Sequence, residues 1–351
     1  MIILVKRVTI KDIASRAGVS VTTVAKAIND KARISEDTKR LIIDTAREMG
    51  YTPNKSARAM ASSEINIGIV YPKKPSEFIS YIEAGFSRGA EELADYRVQT
   101  LLMSYDNPNS TDQIKELLEK IALSNINGVI FFAGRNPVSY EIQMRCITEK
   151  HIPILFIVNE VENAGEIGTI RLNSEVAGAM AAQFLKLSVL DGCSVAVLVG
   201  NKDLKVHSRC IDGFMSMSKR QRLKVYGVYE TNDEKDIAYY LTNKLFSECS
   251  DLGGLYVSSY NSVGVCQWLE DHGKQNDIKV IGQDLYPELV KKLNAGTLTA
   301  TIFQNQFEFG RLSLHYIYEY LTGIRKKENC SRLLPPQIVM MSNVECFKHC
   351  Y

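Results

Sequence analysis

The stretch from Ile10 to Asn29 constrains the fold of the N-terminal region more than any other part of the sequence. It has the sequence I-K-D-I-A-S-R-A-G-V-S-V-T-T-V-A-K-A-I-N. Thr9 and Ser20 each precede a run that suits a helix, and threonine and serine are preferred helix N-caps. Gly18 lies between the two runs and supplies the positive φ that a sharp turn requires. The stretch therefore predicts two short helices joined by a tight turn.

The second predicted helix has one apolar face and one small, mostly uncharged face. Val24, Ala27 and Ile28 have the i, i+3, i+4 spacing of residues that point into a core. The opposite face consists of Val21, Thr22, Lys26 and Asn29. Such a face suits the major groove of DNA, because Thr and Val can contact a thymine methyl and Lys can reach guanine acceptors or a phosphate.

The first 63 residues are basic. They carry twelve Lys and Arg against six Asp and Glu, a net charge of +6, whereas the whole chain has +2 and the remainder therefore −4. A third helix is predicted from Ser35 to Gly50. A plain three-helix domain with a solvated basic face would share this charge. The turn motif, the charge and the uncharged outer face together indicate a nucleic-acid-binding domain. It is attached to a remainder of the chain that is mildly acidic and is not expected to bind nucleic acid.

A short segment follows the third helix. Residues 51–62 have the sequence Y-T-P-N-K-S-A-R-A-M-A-S. Pro53 interrupts the preceding helix and Asn54 can cap the next one. Residues 55–61 predict a helix of only two turns, which is marginal on its own.

At this point the chain resembles the lactose-repressor (LacI) family of bacterial transcription regulators. The matching motifs are V-T-I-K-D-I-A, A-G-V-S, T-V, the I-N that ends the second helix, R-I-S, T-K-R, and G-Y-T-P-N with A-R. The resemblance implies that the second helix reads the major groove of operator DNA. It also implies that the two-turn segment is a hinge helix, which pairs with its mate from a second subunit and wedges side chains into the minor groove.

The resemblance implies DNA contacts from the second helix, its flanks and the hinge. The positions are Thr9, Ser20, Val21, Thr22, Thr23, Lys26, Asn29, Ser35, Tyr51, Asn54, Lys55, Ala57, Arg58 and Met60. Two of them depart from the common family pattern. Met60 replaces the usual Leu of the wedge, and Lys26 replaces an Arg. Because lysine lacks the bidentate fork of arginine, a phosphate contact is favoured over a base contact at Lys26.

After residue 63, apolar strands alternate with amphipathic helices. Strands are predicted at 65–71, 98–104, 128–132, 152–158, 194–199, 224–229, 254–258 and 278–282, with helices between them and another helix at 307–320. Alternation of this kind is typical of a parallel sheet covered by helices on both faces. Since the pattern restarts at residue 174, the predicted fold class is α/β with two doubly wound lobes and a cleft between them.

The body is similar to a periplasmic-binding-protein type I domain, whose chain crosses between its lobes three times. The crossings are expected near 163–168, 296–300 and 328–335. The predicted organisation is a helix-turn-helix domain over 1–52, a hinge over 53–63 and a body over 64–351. Within the body, lobe one is expected at about 64–165 and 300–328, and lobe two at about 166–298 and 332–351.

Polar residues at the carboxyl ends of the predicted strands are candidates for an effector site, because ligands of such sheets bind there. Asp284 is the foremost candidate, since a carboxylate after an apolar strand is costly unless paired and can accept from two sugar hydroxyls. Its alternative role is to cap a helix that begins near Pro287. Phe78 either stacks on a sugar ring, as the resemblance suggests, or is the first core residue of its helix.

Six further effector-site candidates follow from strand ends or from the resemblance: Arg135, Asn136, Arg209, Ser258, Ser259 and Gln304. The motif around Arg209 is one residue longer than the common R-x-x-G-F, which rotates the arginine by about 100° on its helix. Either Arg209 still reaches the cleft or His207 takes its place. Asn173, Ser174 and Gln306 also differ from the residues that are common in the family.

Other classes of function have little support. No apolar run approaches the roughly 18 residues that suggest a membrane span. Residues 1–6 are too short for a secretory signal, so a cytoplasmic location is expected. The eight cysteines lack paired spacing, which favours reduced thiols. Phosphate-binding glycine motifs are absent, and the C-terminal cysteines and histidine are too few for a metal site. No cofactor or metal is expected.

The expected function is that of a homodimeric, sequence-specific DNA-binding regulator, most simply a repressor. A carbohydrate or polyol effector in the cleft would control its affinity for operator DNA, and two heads would read the half-sites of a near-palindrome. The same organisation suits a regulator whose body responds to a partner protein. An enzyme on this scaffold would require a nucleophile–base pair or a phosphate loop, and the sequence shows neither.

Overall fold

The computed structural model describes residues 8–28, 34–49, 64–107, 110–134, 140–161 and 164–350, without the side chains of 140–143 and 349–350. The chain divides into two compact units, Met1–Ser63 and Glu64–Tyr351, which we call the head and the body. The predicted hinge helix lies outside the described residues. So do the candidates Asn29, Tyr51, Asn54, Lys55, Ala57, Arg58, Met60, Arg135 and Asn136.

The head contains helices α1 (Ile10–Ala17), α2 (Val21–Ile28) and α3 (Glu36–Glu48). They surround a small core that includes Ile13, Val24 and Ile42, all fully buried. Gly18 has a φ of 66°, which confirms the predicted turn between α1 and α2. The apolar face of α2 therefore packs inward as its spacing predicts.

The body alternates strands and helices along the chain. Its strands are β1 (Ile65–Pro72), β2 (Val98–Tyr105), β3 (Gly128–Phe131), β4 (Ile154–Ile157), β5 (Gly168–Leu172), β6 (Ser194–Val199), β7 (Lys224–Glu230), β8 (Leu252–Val257), β9 (Lys279–Gln283), β10 (Ala300–Phe303), β11 (Arg332–Leu334) and β12 (Gln337–Val339). Its helices are α4 (Ser76–Glu92), α5 (Thr111–Leu123), α6 (Tyr140–Thr148), α7 (Ser174–Ser188), α8 (Lys205–Gln221), α9 (Lys235–Glu248), α10 (Ser262–Asp271), α11 (Pro287–Asn294) and α12 (Gln306–Leu321).

Within the described part of the body, the strands form two six-stranded sheets, one in each lobe. The strand order is β11-β5-β4-β3-β1-β2 in lobe one and β12-β10-β9-β8-β6-β7 in lobe two. The neighbouring strands are parallel, except that β12 runs antiparallel to β10. The predicted α/β class with two parallel-sheet lobes is confirmed.

The crossings between the lobes come later in the chain than predicted. Residues 168–172 and 332–334 belong to the sheet of lobe one, and residues 300–303 belong to the sheet of lobe two. The first two crossings therefore follow Leu172 and Phe303, and the third falls between β11 and β12. The predicted lobe boundaries at 165/166, 298/300 and 328/332 are corrected accordingly. The alternation of strands and helices could not show this, because β5 follows β4 without a helix and β10 and β11 are very short.

Glycines set the closest helix packing in each lobe. A Cβ added at Gly85 of α4 would lie 2.0 Å from the Phe307 carbonyl oxygen of α12, and one at Gly310 would lie 2.2 Å from the Ile82 carbonyl. In lobe two, a Cβ at Gly178 of α7 would lie 1.9 Å from a carbonyl of α8. Since any side chain would collide with backbone, both pairs of helices depend on glycine to approach this closely.

The cysteines whose side chains are described are free thiols, and four of them are buried, as the sequence predicts. No helix among the described residues is long and apolar enough to cross a membrane.

We expect the substitution Gly85→Ala to lower the free energy of unfolding of the protein by about 1–3 kcal/mol or more, because the added methyl group collides with the backbone of α12. Chemical denaturation followed by circular dichroism measures the change. Ser87→Ala alters an exposed position on the same helix and serves as the matched control. Equal stability of the two variants would contradict the close approach of α4 and α12.

Candidate functional site

The predicted DNA-contacting face of α2 lies at the surface of the head. Val21 is 44% exposed, and Thr22 and Lys26 are also exposed, whereas Val24 and Ala27 are buried. The structure therefore separates the two faces as the helical spacing predicts.

Three of the predicted DNA-contacting residues cap helices of the head, and a fourth, Thr23, bonds one of these caps. Thr9 forms a reciprocal capping box with Asp12 at the start of α1. Ser20 Oγ accepts a hydrogen bond from the Thr23 backbone N–H at 3.0 Å and bonds the Thr23 hydroxyl at 2.8 Å. Ser35 Oγ accepts a hydrogen bond from the Thr38 backbone N–H at 3.3 Å. These side chains fix the ends of the helices and thereby the orientation of the exposed face.

The body contains a cavity of about 140 Å³ between its two lobes. Its wall consists largely of segments that follow the carboxyl ends of strands from both sheets, the position expected for a ligand in parallel sheets. The lining residues are Pro72, Lys74, Pro75, Phe78, Phe132, Ala133, Gly134, Val158, Asn159, Leu204, Val206, His207, Asp233, Ser258, Ser259, Tyr260, Gln283, Asp284 and Gln304.

The structure brings most of the described effector-site candidates together at this cavity. They are Phe78, Ser258, Ser259, Asp284 and Gln304. Of the two alternatives on α8, His207 lines the cavity and Arg209 does not. Gly134, which precedes the candidates Arg135 and Asn136, also lines it.

Asp284 is the most enclosed charged residue of the cavity wall. It is only 4% exposed, and its Oδ1 accepts hydrogen bonds from the side-chain amides of Gln304 and, at 2.7 Å, Gln306. Its backbone has a φ of 74°, a conformation that aspartate tolerates better than most residues. Helix α11 begins at Pro287 with Tyr286 as its cap and no side-chain capping bond, so the alternative capping role of Asp284 is wrong.

The environment of Asp284 favours its protonated form. Burial raises the pKa of this carboxyl group to about 7, and the negative charge of Asp233 acts in the same direction, while the hydrogen bond from Gln304 opposes both. Two amide donors on one carboxylate oxygen offset part of the cost of burying the charge. Both amides donate to Oδ1, and Asp284 lines the cavity.

Phe78 has the core position that one interpretation of the sequence gives it, and it also borders the cavity. It belongs to the core of lobe one and is 9% exposed, and it also lines the cavity. Its ring lies 6.2 Å from that of Phe132, centroid to centroid, at an interplanar angle of 58°. The two rings form an aromatic wall opposite the polar residues of lobe two.

Arg209 contacts Glu160 rather than the cavity. Its two terminal nitrogens donate to the two oxygens of Glu160 at 3.0 and 2.8 Å, and Arg171 Nε donates to Glu160 Oε1 at 2.6 Å. Burial works against the charge of Glu160, but the two guanidinium groups lower its pKa. The predicted effector contact of Arg209 is corrected: the longer motif turns the side chain on its helix, and a carboxylate of lobe one binds it.

Sequence reasoning missed several residues of the site. Tyr260 lines the cavity, stacks on Tyr286 with ring centroids 4.6 Å apart, and donates from its hydroxyl to Glu77 Oε2 of lobe one at 2.6 Å. This bond lowers the pKa of Glu77. Asn159 lies two residues after β4 and Tyr260 three residues after β8. This position after a strand could have identified both as candidates.

Gln283 was also missed, although it directly precedes Asp284. Its Oε1 accepts a hydrogen bond from the hydroxyl of the fully buried Tyr256 at 3.1 Å. Tyr256 in turn lies 3.0 Å from the sulfur of Cys210. This internal contact fixes one side of Gln283 from within lobe two.

A head with an exposed helix-turn-helix face, joined to a two-lobed body with a polar and aromatic cavity, indicates the class of DNA-binding regulators. Comparison with known families agrees. The chain contains a helix-turn-helix domain of the lacI family of bacterial regulatory proteins, whose model matches residues 9–54. It belongs to the periplasmic binding protein domain family, whose model matches residues 67–325.

Individual relatives match almost the whole chain. The HTH-type transcriptional regulator MalR of Streptococcus pneumoniae is 26% identical over 341 residues, covering 93% of this chain and 97% of the relative. Catabolite control protein A of Priestia megaterium is 23% identical over 323 residues, covering 90% and 92%. The helix-turn-helix match over residues 9–54 and these relatives agree with a DNA-binding transcriptional regulator.

Solved structures show the same fold for the body. The glucose-galactose binding protein GanP from Geobacillus stearothermophilus superposes with a TM-score of 0.72 at 18% sequence identity. The match covers 81% of this chain and 99% of that chain.

We expect Asp284 to make the stability of the protein fall with rising pH. Its folded pKa of about 7 exceeds the roughly 3.9 of an unfolded aspartate. The favourable contribution is therefore complete below about pH 4 and is lost as the pH rises through about 7. Asp284→Asn, which suits the same backbone conformation, should gain stability relative to the wild type between pH 5 and pH 8.

Urea denaturation at the two pH values measures this difference. Asp236→Asn changes an exposed aspartate on α9 and should show no comparable pH trend. A constant difference between Asp284→Asn and the wild type would contradict the raised pKa.

Proposed function

We propose that the protein is a repressor that binds operator DNA as a homodimer and is controlled by a carbohydrate effector in the body cavity. The proposal depends on one observation: Asp284 and the aromatic rings of Phe78 and Phe132 line the same cavity. A carboxylate oxygen accepts hydrogen bonds from sugar hydroxyls, and Phe78 and Phe132 offer apolar surface to the C–H groups of a sugar ring. The fold shared with a glucose-galactose binding protein supports the same class of ligand.

DNA binding would use the exposed face of α2 together with the hinge. In this proposal Val21, Thr22 and Lys26 approach the major groove, and Met60 enters the minor groove at the centre of the site. Two heads related by two-fold symmetry require two half-sites in opposite orientation. The predicted hinge helix has only two turns, and a helix of that length would form only when both subunits and the DNA hold it.

The proposed control relies on a ligand that contacts both lobes. Phe78 and Asn159 belong to lobe one, whereas Ser259 and Asp284 belong to lobe two, and all four line the cavity. A ligand that bridges them would bind one arrangement of the lobes better than another. Such differential affinity is what shifts a conformational equilibrium, and here it would change the spacing of the two hinges.

Selection from a random DNA pool tests the operator half of the proposal. The full-length chain should enrich a near-palindromic sequence, and enrichment of an asymmetric site or of no site would contradict it. The selected duplex then serves as the probe for the variants below.

Replacing Lys26 by Ala should weaken binding to the selected duplex and reduce the dependence of log Kd on log salt by about one unit if the lysine contacts a phosphate. Fluorescence anisotropy at several salt concentrations measures both. Lys235→Ala, at an exposed position of the body, is the matched loss of charge and should leave the slope unchanged. An unchanged slope for Lys26→Ala would exclude the phosphate contact.

Asp284→Asn should retain binding to the selected duplex and lose most of its response to sugar. We expect the sugar concentration at half response to rise about tenfold or more, since an amide replaces a carboxyl group that accepts hydrogen bonds in a buried site. Anisotropy titrations with neutral pentoses, hexoses and disaccharides measure the response, with Asp236→Asn as the control. A normal sugar response of Asp284→Asn would contradict the proposed role of Asp284, and a wild type that responds to none of the sugars would favour control by a partner protein.

A further inference from the structure

Gln283 lies between the cavity and the interior of lobe two. It is the last residue of β9, it is only 5% exposed, and it lines the cavity. Its Oε1 accepts the hydrogen bond from the hydroxyl of Tyr256 at 3.1 Å. This bond occupies the oxygen of the amide within lobe two. The amide nitrogen, which carries two hydrogens and acts only as a donor, is therefore the part of Gln283 that a molecule in the cavity can use.

The chemistry of Tyr256 determines which end of the amide turns inward. Burial raises the pKa of its hydroxyl well above the ordinary value, and the neighbouring Cys210 acts in the same direction, so the hydroxyl keeps its hydrogen at neutral pH. The oxygen of Tyr256 lies 3.1 Å from Gln283 Oε1 and 3.0 Å from Cys210 Sγ. Because an amide oxygen accepts hydrogen bonds better than a thiol sulfur, the phenolic hydrogen is directed to Gln283. The reverse orientation of the amide would leave this hydrogen to the weaker acceptor.

Both the hydroxyl of Tyr256 and the backbone beside Gln283 are held in place. Tyr256 is fully buried, and its ring stacks on that of Phe214 with centroids 5.5 Å apart and an interplanar angle of 11°. The backbone carbonyl of Asp284 accepts a hydrogen bond from the hydroxyl of the buried Thr301 at 2.7 Å. The amide of Gln283 is thus fixed before a ligand binds, which reduces the conformational entropy that binding would cost.

From these contacts we propose that Gln283 is a specificity-determining residue whose amide nitrogen donates a hydrogen bond to an oxygen of the bound carbohydrate, and that Tyr256 positions this amide. This inference rests on the proposed function, because it takes the ligand to be a carbohydrate. Gln283 and Asp284 are adjacent, so an amide donor and a carboxyl group line the same part of the cavity. A ligand without an oxygen at this point would leave a buried N–H unpaired, which is costly.

Calorimetric titration of the full-length chain with D-glucose, D-galactose, D-ribose and maltose identifies the sugar that binds most tightly, which then serves as the probe. Gln283→Met has a side chain of similar length without the donor, and we expect its Kd to rise about tenfold or more. Gln283→Glu keeps an acceptor for Tyr256 and should lose at least as much affinity. Tyr240→Phe removes an exposed hydroxyl from α9 and should leave Kd unchanged. If either Gln283 variant is folded by circular dichroism and binds the sugar normally, the inference is overturned and the carbohydrate effector stands. If no sugar binds to the wild type, the proposed function fails and the inference fails with it.

A double variant tests the positioning role of Tyr256. Tyr256→Phe keeps the ring and its stacking on Phe214 but releases the amide, and should raise Kd about threefold or more. If Tyr256 acts through Gln283, the double variant Tyr256→Phe/Gln283→Met should have the Kd of Gln283→Met alone to within about twofold, because the effects of residues in one hydrogen-bond network do not add. Single effects that multiply in the double variant, or a normal Kd for Tyr256→Phe, would contradict the positioning role.

Discussion

The organisation of the body depends on one buried carboxylate and the two amides that hold it. Asp284 directly follows β9 of lobe two, Gln304 follows β10 on the segment that leaves that lobe, and Gln306 begins α12. Helix α12 packs against α4 of lobe one through Gly85 and Gly310. The hydrogen bonds of Asp284 therefore tie the floor of the cavity to a connection between the lobes, and a ligand that changes them acts directly on that connection.

The two lobes contribute different chemical groups to the cavity. Lobe one contributes mainly an aromatic and apolar wall. Its residues Phe78 and Phe132 line the cavity and also belong to the hydrophobic core. Lobe two contributes the buried polar groups, including Ser258 and Ser259. An amphipathic ligand such as a sugar ring suits a cavity built from two such halves, because neither half alone satisfies both its hydroxyl and its C–H surfaces.

Much of this could be predicted from the sequence, because the signals are local. The caps at Thr9, Ser20 and Ser35, the turn at Gly18 and the alternation of strands and helices each depend on neighbouring residues. Asp284 could be predicted for the same reason, because it is a charged residue just after an apolar strand. Contacts between segments that are distant in the sequence could not be predicted. Neither the pair of Arg209 with Glu160 nor the place of β10 in the sheet of lobe two has a local signal.

The hydrogen bond between Tyr260 and Glu77 has a consequence for rates. It joins the two lobes beside the cavity at 2.6 Å. If the lobes must part to exchange ligand, the bond breaks on entry and on exit alike. It then slows association and dissociation by the same factor and leaves the equilibrium constant unchanged. A regulator built in this way keeps a bound effector longer than its affinity alone requires, and so averages over brief fluctuations in effector concentration.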